Sequence, residues 1–165
     1  MTEAFDDDLM PLLEDDADQQ PSSADSVWKV LIVDDDEDVH QATKFALANT
    51  PILQRDLLFL HAHSASQAIE LLKSESDIAV ILLDVVMESE DAGLKLVRII
   101  REDLDITEAR IILRTGQPGY APEIDAIRDY DINDYKTKSE LSRNRLYTAL
   151  TAAIRSYKQI HMINS

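Results

Sequence analysis

Three short runs in this chain are apolar throughout, with no alternation, and each stops on a polar group. Val30 to Val33 halts at Asp34, Ile78 to Leu83 halts at Asp84, and the run opened by Ile111 to Leu113 stops at Thr115. Two weaker runs, Leu57 to Ala62 and Tyr130 to Tyr135, read the same way. A strand that is apolar on both faces belongs inside a parallel sheet covered by helices, because neither face tolerates water. The stretches between the runs carry helical spacing instead. Val39, Ala42, Thr43 and Ala46 share a face, as do Ala65, Ala68, Ile69 and Leu72. Leu94, Val97 and Ile100 form a third stripe with the polar Arg101 at its edge. Leu141, Leu146, Leu150, Ala153, Ile154 and Tyr157 form the stripe of a last helix. Five strands alternating with five helices specify a doubly wound α/β domain. Such sheets bind their ligands at the carboxyl ends of the strands.

Charge divides the chain. Of its 165 residues, 32 are acidic and 16 basic, a net charge of −16. Residues 1–25 hold nine of the acids and no base, so the remainder is only mildly acidic. That opening stretch also carries Pro11, Pro21 and a polar run from Gln19 to Ser23, and it reads as a disordered acidic arm. The folded domain is expected over 26–160, with 161–165 as a tail or a linker to an effector domain. The acidic balance argues against direct nucleic-acid binding, which relies on basic side chains. Cysteine is absent, which excludes disulfides and thiolate chemistry. No apolar run approaches the roughly 20 residues of a membrane span. The acidic N-terminus does not suit a secretory signal, so a cytoplasmic location is expected.

The strand ends carry the chemistry. Asp34, Asp35 and Asp36 follow the first strand, Asp84 ends the third, Thr115 ends the fourth, and Lys138 follows the fifth. A fold that gathers strand ends collects these carboxylates with one hydroxyl and one ammonium. Clustered carboxylates need a cation to stay ionised together, and oxygen donors suit Mg²⁺. A carboxylate beside such an ion can act as a nucleophile toward phosphorus, with Thr115 and Lys138 contacting the transferred oxygens. Each residue also has a plainer role open to it. Asp34 to Asp36 can cap a helix, Asp84 and Thr115 can sit in turns, and Lys138 can be surface charge.

Four strings resemble the signature blocks of two-component response-regulator receiver domains. They are VLIVDDD (Val30 to Asp36), LLDVVM (Leu82 to Met87), ILRTG (Ile112 to Gly116) and DYKTK (Asp134 to Lys138). The likeness covers about residues 27–158 and implies the flavodoxin-like receiver fold, with strand order 2-1-3-4-5. It further implies Asp84 as phosphoacceptor, and Mg²⁺ held by Asp34, Asp35, Asp84 and the carbonyl of Val86. Thr115 and Lys138 would contact the phosphoryl group, and Tyr135 would be the switch aromatic. The implied partners are a histidine kinase or a histidine phosphotransfer protein, with dimerisation open. The blocks also resemble receivers that precede HD-type or cyclic-di-GMP signalling domains, which implies an effector in a longer protein. By itself a receiver is not an enzyme beyond gaining and losing its own phosphate.

Several positions depart from the family pattern. Ser139 stands where most receivers have a proline after the lysine, Glu88 replaces the proline usual after Met87, and Val86 is apolar. These leave open a pseudo-receiver that never carries phosphate. An aspartate-nucleophile phosphatase would need a second Asp two residues past the nucleophile, and that position is Val86. His61 and His63 share a strand face at metal-ligand spacing, but no carboxylate partner is evident in the sequence. They read as half-buried or surface residues, and His40 reads as a helix-surface residue.

Overall fold

The computed structural model describes residues 27–87, 92–115, 128, 130–137 and 143–164. Five parallel strands run through it: β1 (Val27–Val33), β2 (Asp56–Ala62), β3 (Ile78–Asp84), β4 (Arg110–Thr115) and β5 (Ile132–Thr137). Four helices are described, α1 (Glu37–Ala46), α2 (Ala65–Ser74), α3 (Ala92–Arg98) and α4 (Arg143–Asn164). The sheet order is β2-β1-β3-β4-β5, the 2-1-3-4-5 arrangement, with every pairing parallel. The order reverses between β1 and β3, so their carboxyl ends flank the crevice where such sheets bind ligands. The helix expected after Gly116 and the arm over 1–25 lie outside the described residues.

Alternation along the strands sorts the core into two layers. Leu31, Val33, Ile81, Leu83, Ile111 and Leu113 face α2 and α3. Val30, Ile32, Val80, Leu82 and Ile112 face the layer closed by α4. All seven residues of β3 and all six of β4 are buried, as the unbroken apolar runs require. The strands with weaker apolar runs, β2 and β5, occupy the sheet edges.

Two expectations need correction. The sequence predicts the fifth strand from Tyr130, but it begins at Ile132. Tyr130 and Asp131 form a turn, with Asp131 at φ 53°, a left-handed conformation that Asp tolerates better than most residues. The second concerns Arg101, which is buried rather than marking a polar edge. After Arg98 the chain widens into a π-helical turn, Ile99–Asp103, which changes the facing of the residues that follow. The Arg101 guanidinium is drawn inward and donates to the carbonyls of Ile106, Tyr130 and Asp131 at 2.8–3.0 Å.

Candidate functional site

Strand parity brings the acids together. Asp34 continues the Val30–Ile32 face of β1, and Asp84 continues the Val80–Leu82 face of β3. The sheet pairs Val33 with Leu83, so these carboxylates emerge side by side on neighbouring strands. One carboxylate oxygen from each of Asp34, Asp35 and Asp84 lies within 4.8 Å of the others. Asp34 and Asp84 are buried and Asp35 is exposed, so the cluster meets solvent on the Asp35 side. The donor set is entirely oxygen, the chemistry that suits a hard divalent cation such as Mg²⁺.

The three consecutive acids divide their work. Asp36 caps α1, its side chain accepting from the Asp38 N–H at 2.9 Å. Asp34 Oδ1 accepts from the Asp36 N–H at 2.9 Å, which fixes the turn out of β1. The helix-capping alternative therefore holds for Asp36, and Asp34 and Asp35 belong to the acidic cluster. Across the crevice, Asp84 Oδ1 accepts from the Val86 N–H at 3.2 Å, and Val85 N–H donates to the Arg114 carbonyl at 3.0 Å. The start of α3 is clamped against the segment after β3, with Gly93 N–H donating to the Val85 carbonyl at 2.9 Å. Thr115 is fully buried at the end of β4. Tyr135 is in β5, its backbone paired with Leu113, and Lys138 lies outside the described residues.

Two features were not foreseen from the sequence. His40 is fully buried rather than on the helix surface. Its Nε2 is 2.8 Å from the Asp34 carbonyl, an acceptor only, so Nε2 carries the proton. In the neutral tautomers that this geometry allows, His40 Nδ1 then accepts from His61 Nδ1 at 2.8 Å. His63 stacks on His40 with ring centroids 4.1 Å apart, and it does have a carboxylate partner, Glu37 at 2.6 Å. The acid-bearing turn thus rests on a column of imidazoles. The second feature is Arg114, which pairs with Asp84 in the sheet register and is buried on the same face. Its Nη1 donates to Thr43 Oγ1 on α1 at 3.0 Å. Burial pulls its affinity for a proton down, and the nearby Asp34 and Asp84 pull it back up.

Within this column, His61 makes stability fall toward acid. Burial first, and then the neighbouring His40, hold the His61 pKa below its usual 6.5, so the folded state favours the neutral ring. The unfolded chain binds the extra proton more readily, and stability is lost as pH falls from 6.5 through the lowered folded value. Glu37 is held below 4.5 by hydrogen bonds from Gln41 and His63, which extends the loss to lower pH. Urea midpoints are expected to drop between pH 7 and 5.5 in the wild type, and the drop to shrink in His61→Asn. An equal drop in both proteins would assign the acid sensitivity to other groups.

The family model described as the response regulator receiver domain matches residues 30–151. A curated relative from Vibrio cholerae, 3'3'-cGAMP-specific phosphodiesterase 2, is 46% identical over 136 residues. That match covers 82% of this chain and 26% of the relative, so the chain spans about a quarter of that protein. A solved CheY-like response regulator receiver domain protein from Methanospirillum hungatei is 27% identical, with a TM-score of 0.66. The match covers 79% of this chain and 97% of that one. The signal receiver domain of an HD domain-containing protein from Pseudomonas fluorescens shares the fold, at 24% identity and a TM-score of 0.63. There 80% of this chain and 98% of the other are covered.

Proposed function

This chain belongs to the response-regulator receiver family, and from that membership we propose that Asp84 is its phosphoacceptor. The observation that carries the reading is the convergence of Asp34, Asp35 and Asp84 at the point where the strand order reverses. A carboxylate oxygen of Asp84 attacks the phosphorus of a phosphohistidine on a kinase or phosphotransfer partner. The new P–O bond forms as the P–N bond breaks, and the imidazole, already protonated on its other ring nitrogen, leaves as the neutral ring. Asp34, Asp35, Asp84 and the Val86 carbonyl would hold Mg²⁺. When bound, that ion supplies charge neutralisation for the phosphoryl oxygens. Thr115 and Lys138 hydrogen-bond those oxygens, and the signal leaves through repacking around Tyr135.

The unit that acts is the stretch 26–160, working in the cytoplasm. Its output belongs to an effector domain in a longer protein. The named activity of the Vibrio cholerae relative makes a cyclic-dinucleotide phosphodiesterase our choice of effector class. Incubation with acetyl phosphate and Mg²⁺ is expected to add one phosphoryl mass that hydroxylamine removes, carried by the peptide containing Asp84. Label on any other peptide would sink the assignment, and no label at all would favour the pseudo-receiver.

A further inference from the structure

Three buried arginines occur among the described residues, and they are used differently. Arg101 donates to three backbone carbonyls. Arg110 donates to the carbonyls of Thr107 and Glu108 and pairs with Asp131 at 3.0 Å. Both guanidiniums are thereby explained by the loops they hold. Arg114 is only 3% exposed, yet its one hydrogen bond goes to a neutral hydroxyl, that of Thr43. Its Nε and Nη2 are buried and find no partner among the described residues. A buried guanidinium with so few hydrogen bonds carries a large desolvation cost, and only opposite charge nearby offsets it. Asp84 is its register partner on β3, and among the described residues the opposite charges that act on it are those of Asp84 and Asp34.

We propose that Arg114 is a positioning residue of the acceptor pocket, a fixed positive charge set behind Asp34 and Asp84. The inference rests on the acceptor reading above and adds a sign to it. A resident cation repels an incoming divalent ion and attracts an incoming phosphoryl group. Arg114 therefore weakens the pocket's hold on Mg²⁺ in the resting state and strengthens it on the phosphorylated state. At separations of roughly 10 Å and an effective dielectric near 20, a unit charge changes the binding of another by about tenfold.

The test measures two affinities on the full chain by calorimetry: Mg²⁺ alone, and beryllofluoride at saturating Mg²⁺ as the phosphoryl mimic. Arg114→Met is expected to bind Mg²⁺ about a hundredfold more tightly, because the ion carries two charges, and beryllofluoride about tenfold more weakly. Arg114→Lys, which keeps the charge, and Thr43→Val, which removes only the hydrogen bond, are expected to stay within about twofold of wild type on both. Opposite signs in one variant are the signature, because damaged packing lowers both affinities together. A fall in both, or no change in either, would overturn the proposal. If Arg114→Met does not fold, Arg114→Gln reads the same two signs. Failure of both variants to fold would also overturn it, by making the arginine a structural requirement. Absence of Mg²⁺ and beryllofluoride binding in the wild type would instead overturn the acceptor reading itself.

Discussion

Replacing Gly93 with alanine is expected to cost the fold about 2–3 kcal/mol and to slow phosphorylation of Asp84 by tenfold or more. The reason is a close approach of backbones. A Cβ at position 93 would lie 2.6 Å from the Val85 Cα and 2.9 Å from the Val85 carbonyl oxygen, and closer still to the carbonyl oxygen of Asp84. None of these atoms is the end of a flexible side chain, so the strain has to be relieved by moving either α3 or the segment after β3. Moving α3 breaks the bond from Gly93 N–H to Val85 and lifts Leu96 and Val97 out of the core. Moving the segment displaces the Asp84 carboxylate, whose Oδ1 is held by the Val86 N–H. Reaction rates are sensitive to misplacements of about 1 Å, so even a partial shift reaches the chemistry. Urea unfolding followed by Trp28 fluorescence, with acetyl phosphate labelling on the same protein, checks both halves. A variant that loses less than about 0.5 kcal/mol would show that the segment yields freely and that the contact carries little weight.

Much of this arrangement is legible in the sequence for a physical reason. Unbroken apolar runs have one stable home, and the residues that end them inherit a fixed position at the rim of a parallel sheet. Asp34, Asp84 and Thr115 stand where those runs stop, so their placement follows from the length of the runs. The edge strand β5 has no such run, and its start moved by two residues because Asp131 turns rather than extends. His40 was hidden for another reason. An imidazole among helix-surface polar residues looks solvated until the neighbouring strand supplies His61 and the turn supplies a carbonyl. Arg114 did leave a signal. A charge inside a run that must be buried on both faces requires an opposite charge on an adjacent strand, and Asp84 is its register partner. Gly93 left none, since a backbone approach is invisible before the helix is docked.

The second large effect concerns the far end of the sheet. Substituting Arg101 by methionine keeps most of the volume and removes every donor. Three carbonyls, those of Ile106, Tyr130 and Asp131, then lose their partners in a half-buried loop. A buried acceptor left unpaired costs roughly 1–3 kcal/mol, and solvent recovers part of that at the exposed Asp131, so a net loss of about 3 kcal/mol is expected. The charge itself contributes less. Burial and the neighbouring Arg110 pull the Arg101 pKa down to about 10, and Asp131, 4.0 Å away, only partly restores it. Asp131→Asn is therefore expected to cost far less than Arg101→Met, and Arg101→Lys, which reaches one carbonyl instead of three, to fall between them. The consequence reaches function because these carbonyls fix the turn into β5. That strand's entry is irregular, with a register shift opposite Ile111 that Asn133 fills by accepting the Ile111 N–H at 2.7 Å. Loosening the turn frees β5 to slip along β4, and β5 carries Tyr135 and leads to Lys138. Arg101→Met is thus expected to weaken beryllofluoride binding as well as stability, whereas a purely local loop defect would lower the urea midpoint and leave that affinity unchanged.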